Sequence, residues 1–282
     1  MKILRILFVF LLILSCKQEK QSKEITSKEE STANKEIVSE KFQKIIDEAK
    51  LKGSILIYDS NKKQFLSNDF YWARTGKLPA STYKIPNSII ALETSVVEND
   101  STIFKWNGED RRLKIWEQDL YFKQAFHYSC VPCYQEVARK IGVERMKKYL
   151  EKLNYGDIKV DSTNIDLFWL QGNSKITQFQ QIDFLQRFYK KQLPISKRTD
   201  SIMKNMIVMK DKEGVKLSGK TGWSIYNNIN NGWFVGYVEA KNNVFFFATN
   251  VEPTTAFDMK LFPKIRKEIT FKAFENIGIY LN

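Results

Sequence analysis

Histidine is almost absent from this chain, and its scarcity limits the chemistry available. His127 is the single histidine among 282 residues. The chain therefore cannot form a histidine-rich metal site and does not readily provide the base of a Ser-His-Asp triad. Three cysteines are too few for a small fold held together by disulfides, and no apolar run reaches the length of about 18 residues that spans a bilayer. Any hydrolytic reaction must use a base other than histidine.

The first 16 residues have the pattern of an export signal. Lys2 and Arg5 precede an apolar run, 6–14, that is too short for a membrane anchor but typical of a signal peptide. Ser15 and Cys16 end the run in a way that resembles a bacterial lipobox, where the cysteine becomes lipidated and then N-terminal. The alternative is an ordinary signal peptide with a chance cysteine. We predict a lipoprotein signal peptide over 1–16, lipidation at Cys16, and a location on the periplasmic side of a bacterial membrane.

Residues 17–41 are predicted to form a flexible polar linker, because they contain six Lys and six Glu and few apolar residues. The chain carries a formal net charge of +13, almost all of it on the body. A basic body favours anionic partners, nucleic acid among them. The lysines are dispersed, however, and form no stripe with arginine and aromatic residues. A solvated basic surface without a nucleic-acid partner is therefore the preferred interpretation.

The body, 42–282, has β-rich segments at both ends and a mostly helical stretch between them. In order, its patterns predict a short helix from Phe42, strands at 53–59 and 64–66, helices within 78–193, strands at 215–221, 232–239 and 243–249, and a closing helix over 261–279. Strand sets separated by a helical insert predict an α+β fold. Its antiparallel sheet should be flanked by the terminal helices and joined to a helical subdomain.

The chemistry begins with a serine and a lysine on one helical turn. Ser81 and Lys84 are three residues apart, which places the hydroxyl and the amine on the same helix face. A base beside a hydroxyl is what nucleophilic catalysis requires. The same Ser-x-x-Lys spacing occurs at 60–63 and 201–204, where it fits a turn and a surface face. The copy at Ser81 differs because apolar residues surround it.

Two later elements complete the pattern. Ser129 opens a helical segment, and Lys220 lies near the end of a β-strand. Gly222, just beyond, would let a ligand approach that strand closely. Together these motifs resemble the class D (OXA-type) serine β-lactamases, which belong to the serine β-lactamase and penicillin-binding transpeptidase-like fold. The resemblance is carried by Ser81-Thr-Tyr-Lys84, Ser129-Cys-Val131, Tyr155-Gly-Asp157, Phe168-Trp169-Leu170, Lys220-Thr-Gly222 and Gly232-Trp-Phe-Val-Gly236.

The resemblance implies hydrolysis of β-lactam antibiotics, without a metal or an organic cofactor. Ser81 would be the acylated nucleophile, and Lys84 would react with CO2 to give the carboxylated lysine that acts as general base. Burial must first yield the neutral amine that CO2 requires. Val131 and Leu170 would supply apolar walls for that lysine. Trp169 would donate its indole N–H to the carbamate.

The remaining roles concern the substrate. Ser129 would relay a proton to the leaving lactam nitrogen, and the backbone N–H groups of Ser81 and Trp223 would form the oxyanion hole. The carboxylate common to penicillins and cephalosporins would be bound by Lys220, Thr221 and Arg266.

Cys130 and Cys133 depart from the family pattern. Their Cys-x-x-Cys spacing in an exported protein fits a redox motif or a disulfide, but we expect two small packing residues, because no thioredoxin-like βαβ unit surrounds them. His127 is expected to be structural or exposed. The hairpin at 226–231 is expected to border the substrate cleft.

Two alternatives to hydrolysis remain open. A β-lactam sensor or penicillin-binding protein would acylate at Ser81 and deacylate slowly. A non-catalytic lipoprotein would keep the fold as a binding module, although Ser81, Lys84 and Lys220 are all present. The sequence does not specify the antibiotic spectrum or the oligomeric state.

Overall fold

The computed structural model describes residues 34–281, and a seven-stranded sheet is its central element. The strand order is β1-β3-β2-β9-β8-β7-β6, and a separate small sheet pairs β4 with β5. The strands are β1 Lys35–Val38, β2 Leu51–Asp59, β3 Gln64–Ser67, β4 Ile103–Phe104, β5 Leu120–Tyr121, β6 Val208–Lys212, β7 Val215–Tyr226, β8 Ile229–Ala240 and β9 Asn243–Pro253.

Tight turns set the register of the three long strands β7, β8 and β9. Asn227 and Asn228 connect β7 to β8 with positive φ angles of 50° and 61°. Lys241 and Asn242 connect β8 to β9 in the same way, with φ of 52° and 55°. Two residues at positive φ are the signature of a type I′ hairpin turn, which matches the twist of the flanking strands. The predicted hairpin after the Lys220 motif is therefore confirmed.

Helices cover both faces of the sheet, as predicted. Their bounds are α1 Glu40–Glu48, α2 Phe70–Arg74, α3 Lys84–Glu93, α4 Phe122–His127, α5 Val131–Ile141, α6 Val143–Leu153, α7 Gln178–Tyr189, α8 Lys197–Met206 and α9 Phe262–Asn276. No helix within residues 34–281 is long and apolar enough to cross a bilayer.

Strand β8 shows how the sheet separates two hydrophobic cores. Trp233, Val235 and Tyr237 face the larger core, which is shared with α3 and α5. Phe234 and Val238 face the smaller core, which is shared with the terminal helices α1 and α9. Alternate residues of a strand point to opposite faces, so one segment serves both cores. The α+β fold with terminal helices and a helical subdomain is confirmed.

The N-terminal edge of the domain differs from the prediction. Strand β1 lies within the segment predicted to be a linker, 17–41, and pairs in parallel with β3. Its backbone is held by hydrogen bonds such as Lys35 N–H to Lys63 O at 3.2 Å. The other six strands of the sheet are antiparallel, as expected. The sequence does not predict strand β1, because Lys35 and Glu36 make this short segment polar. The predicted signal peptide, Cys16 and linker residues 17–33 lie outside the described residues.

Candidate active site

Ser81 and Lys84 meet where a short helix runs into a long one. Ala80–Tyr83 forms a 3-10 helix that continues directly into α3. The Lys84 Nζ donates a hydrogen bond to Ser81 Oγ at 3.3 Å. Both side chains are buried, with relative exposures of 1% for Lys84 and 5% for Ser81. The predicted contact between nucleophile and base is therefore present.

The surroundings of Lys84 favour its neutral form. Burial lowers the pKa of its amine from 10.5 to about 7, because a charge is costly to hold away from water. The ring centre of Tyr134 lies 4.7 Å from Lys84 Nζ. The Tyr134 hydroxyl is itself hydrogen bonded to Ser88 Oγ at 2.7 Å. A far larger share of the unmodified amine is thus neutral near pH 7 than in a free lysine.

Trp169 presents a buried donor without an acceptor. Its indole Nε1 has no hydrogen-bond partner within the described residues. The side chain is fully buried and stacks on Tyr83, with ring centroids 5.7 Å apart. Its carbonyl accepts from the N–H of Ala80, the residue before the nucleophile, at 2.8 Å. Leaving a buried N–H unpaired costs about 1–3 kcal/mol, so this position is suited to an added acceptor.

Ser129 and Lys220 form the second polar pair of the site. Lys220 Nζ donates to Ser129 Oγ and to the carbonyl of Thr221, the latter at 3.0 Å. The pKa of Lys220 lies well below its usual value because of burial first, and then because of the positive charges of Lys84 and Arg266, with Lys267 contributing less. A lysine with a depressed pKa can exchange a proton with the hydroxyl that it contacts.

Gly222 brings strand β7 against Ser81. A methyl group built on its Cα would lie 3.2 Å from the Ser81 backbone nitrogen. The Arg266 guanidinium donates to the Gly222 carbonyl, and it also donates to Phe262 O at 3.1 Å and Pro263 O at 3.0 Å. The Gly222 carbonyl and the Trp223 N–H belong to one planar trans peptide and point in opposite directions. Arg266 therefore orients the N–H that was predicted to serve the oxyanion hole.

A cleft of about 980 Å³ opens above these groups. The predicted residues on its surface are Ser81, Ser129, Val131, Leu170, Thr221, Gly222, Trp223 and Arg266. The remaining three, Lys84, Trp169 and Lys220, are buried, with exposures of 1%, 0% and 3%. This arrangement suits the roles assigned to them, since a base and its partners act from beneath the substrate.

One wall of the cleft was not predicted. Residues of the segment before β5 line it, including Arg111, Arg112 and Trp116. The Arg112 guanidinium lies 5.8 Å from the ring centre of Trp223, on the strand bordering the cleft. The segment carries no periodic apolar pattern, so nothing in the sequence indicated where it folds. His127 also lines the cleft and is exposed, as expected.

The prediction for the two cysteines near Ser129 was wrong. Cys130 and Cys133 form a disulfide, with Cα atoms 5.4 Å apart. The first turn of α5 brings them to the spacing that a disulfide needs. The absence of a thioredoxin-like unit argued against redox exchange, but it did not bear on a structural disulfide.

Residues 34–281 contain no group of three or more His, Cys, Asp or Glu side chains placed to hold a metal ion. The chain matches the family of penicillin-binding protein transpeptidase domains over residues 48–271. This match places the chain among the penicillin-binding transpeptidase-like domains.

Comparison with similar proteins identifies the family within this class to which the chain belongs. The chain is 39% identical to β-lactamase OXA-48 of Klebsiella pneumoniae, over 79% of this chain and 83% of that protein. It is also 39% identical to β-lactamase OXA-10 of Pseudomonas aeruginosa, over 80% and 85%. A solved class D β-lactamase of Sebaldella termitidis superposes with a TM-score of 0.82 at 37% identity, covering 87% of this chain and 99% of that one. The chain belongs to the class D β-lactamases, a family of serine hydrolases that need no metal cofactor.

Proposed function

We propose that this protein hydrolyses β-lactam antibiotics through an acyl-enzyme on Ser81, with carboxylated Lys84 as the general base. The observation that carries the proposal is the buried Lys84 amine in contact with Ser81 Oγ, with a pKa lowered to about 7. The unpaired indole N–H of Trp169 supports the carboxylation. Ordinary lysine is a poor base at neutral pH because it is protonated.

Carboxylation adds CO2 to the neutral Lys84 amine, forms an N–C bond and releases one proton. The resulting carbamate is an anion in a buried site, which is unfavourable unless hydrogen bonds compensate. The Trp169 indole supplies a donor that nothing else within the described residues occupies. Val131 and Leu170, both partly buried, limit the access of water from the cleft.

Acylation starts when Ser81 Oγ attacks the lactam carbonyl carbon and Lys84 takes the hydroxyl proton. Negative charge then develops on the carbonyl oxygen. The N–H groups of Ser81 and Trp223 meet it, because Gly222 lets strand β7 lie against Ser81. Donors already aimed at a developing oxyanion lower the barrier without reorganisation.

Cleavage of the carbon–nitrogen bond requires a proton for the departing lactam nitrogen. Ser129 donates it from the cleft surface and recovers one through its contact with Lys220. Because burial lowers the pKa of Lys220, its ammonium form gives up a proton more readily than that of an ordinary lysine. The product of this half-reaction is an ester between Ser81 and the opened drug.

Deacylation repeats the base chemistry with water. Lys84 takes a proton from a water molecule, which attacks the ester carbon, and Ser81 leaves with a proton returned by the base. Lys84 serves both half-reactions, but loss of its function should slow deacylation more than acylation, because water is the weaker nucleophile to activate. The ester on Ser81 should therefore accumulate. Lys220, Thr221 and Arg266 hold the drug carboxylate during both steps, as hydrogen-bond donors at one end of the cleft.

The sequence further supports export of this enzyme as a lipoprotein. The pattern over 1–16 favours cleavage before Cys16, lipidation of that cysteine and residence on the periplasmic side of a bacterial membrane. β-Lactams act outside the cytoplasm, so such a location would place the enzyme where it meets its substrate.

Carbon-13 NMR tests the central feature of this proposal. Protein equilibrated with labelled bicarbonate should give one carbamate resonance, which is absent from Lys84→Ala. The Lys204→Ala variant serves as the matched control, because Lys204 belongs to the unrelated Ser-x-x-Lys on α8 and pairs with Asp200. A spectrum without a carbamate signal, from protein that turns over penicillin without bicarbonate, would overturn the role of Lys84.

A further inference from the structure

The disulfide between Cys130 and Cys133 lies inside the catalytic segment. Ser129 immediately precedes Cys130, and Val131 stands between the two cysteines. Ser129 contacts Lys220 Nζ, and both Ser129 and Val131 line the cleft. The disulfide thus closes a ring of four residues, 130–133. Val131 lies within this ring and Ser129 directly precedes it, and both residues have assigned roles in the site.

The backbone at this point needs support. Ser129 has φ of +53°, a left-handed conformation that a side chain disfavours and that persists only where the surroundings hold it. Hydrogen bonds to α4 supply part of that support: Ser129 N–H donates to Phe126 O at 3.2 Å and Cys130 N–H to Ala125 O at 2.9 Å. On the other side of Ser129, the disulfide fixes the first turn of α5.

Local bonding ties the disulfide to the start of that helix. Cys130 is the N-terminal cap of α5, and its sulfur accepts from the Cys133 N–H at 3.3 Å. A ring of so few residues removes little entropy from the unfolded chain. Its main effect must therefore fall on the geometry of the folded state, not on global stability.

Burial distinguishes this disulfide from a redox motif. Cys130 is 0% exposed and Cys133 is 2% exposed. Thiol exchange requires a sulfur that an attacking thiolate can reach. The two sulfurs face the larger hydrophobic core instead.

We propose that the Cys130–Cys133 disulfide is a positioning element of the active site. It holds Ser129 Oγ at Lys220 Nζ, and it thereby sustains the proton transfer to the lactam nitrogen. The inference rests on the proposed function of Ser129. It predicts a defect in acylation, because deacylation depends on Lys84 and water.

The test compares the wild type with Cys130→Ala, Cys133→Ala and the double variant. Thiol labelling of the unfolded wild type should first detect no free thiol from this pair. Stopped-flow acylation by a chromogenic cephalosporin should then be slower by on the order of tenfold in each variant, with the deacylation rate constant within about twofold of wild type. Each single variant should be as slow as the double, because removing either sulfur removes the whole bond.

Val137→Ala provides the control for simple loss of packing. Val137 is fully buried on the same helix, so its truncation should lower the melting temperature and leave the ratio of acylation to deacylation unchanged. If the cysteine variants do not fold, the wild type that is unfolded in denaturant, reduced with a phosphine and refolded without an oxidant gives the same comparison. The phosphine takes up oxygen from water as the disulfide is reduced to two thiols.

Several outcomes would overturn the proposal: free thiols in the wild type, additive effects of the two single variants, unchanged acylation, or equal losses in both half-reactions. Failure of the proposed function itself looks different. In that case the wild type would form no ester on Ser81, whatever the state of the cysteines.

Discussion

Replacing Trp169 with phenylalanine removes one indole N–H while an aromatic ring remains. In the structure this N–H is buried and unpaired within the described residues, and the ring stacks on Tyr83. If carboxylated Lys84 is its acceptor, the substitution should weaken the carbamate without disturbing Ser81. The enzyme should then require more bicarbonate for the same activity.

The size of the effect follows from the bond that is lost. A hydrogen bond to a charged group contributes about 1.5–3 kcal/mol. That range corresponds to about 10- to 150-fold in the carboxylation equilibrium. Deacylation should fall more than acylation at low bicarbonate, because water is the weaker nucleophile to activate, and the Ser81 ester should accumulate.

The assay is steady-state hydrolysis of benzylpenicillin over a bicarbonate series that begins with degassed buffer. Trp169→Phe should regain most of its activity at high bicarbonate, with a half-saturating concentration shifted by the stated factor. Tyr83→Phe is the matched control, since it alters the same aromatic cluster, loses only the hydroxyl that contacts Met146 Sδ and keeps the indole. Equal bicarbonate dependence in Trp169→Phe and wild type would refute the reasoning.

Four further results are expected. Hydrolysis should decline steeply as the pH falls below about 7, because protonation of Lys84 leaves less neutral amine for CO2 and because carboxylation itself releases a proton. A flat pH–rate profile between about 5 and 7 would contradict this. Arg266→Ala should raise KM and also lower kcat, because the Gly222 carbonyl loses the partner that fixes the N–H of the oxyanion hole. Lys220→Ala should reduce kcat further. Negligible effects of both substitutions on steady-state kinetics would refute the assigned pocket. Labelled fatty acid should enter the full-length protein and be absent from Cys16→Ala, and an unlipidated mature wild type would end that proposal. A chain that begins at residue 34 should melt like the longer protein, while one that begins at residue 39, and so keeps the Ser39 cap of α1, should lose about 1–2 kcal/mol with strand β1, as measured by urea unfolding.

The predictable parts of this protein are those in which local pattern and function coincide. Ser81 and Lys84 lie on one helical turn, so their contact follows from spacing alone. The strands around Lys220 alternate apolar and polar residues, and asparagines mark the turn between them. The resemblance to class D β-lactamases then connected elements that are far apart in the sequence.

The parts that were missed depend on tertiary contacts. Strand β1 is short and polar, and it forms because β3 offers a free edge. Arg112 reaches the cleft through a segment with little regular structure. The role of Arg266 in holding the Gly222 carbonyl requires knowing how α9 packs on β8, where Gly232 leaves room for its side chain. None of these contacts leaves a periodic trace in the sequence.

Intact-protein mass spectrometry, timed after mixing with benzylpenicillin, tests the central claim most directly. We expect an adduct with the mass of the whole drug on Ser81 that appears early, decays as penicilloic acid is released, and is absent from Ser81→Ala. An adduct that persists would indicate a protein that acylates without turnover. Hydrolysis without any adduct on Ser81 would contradict the account.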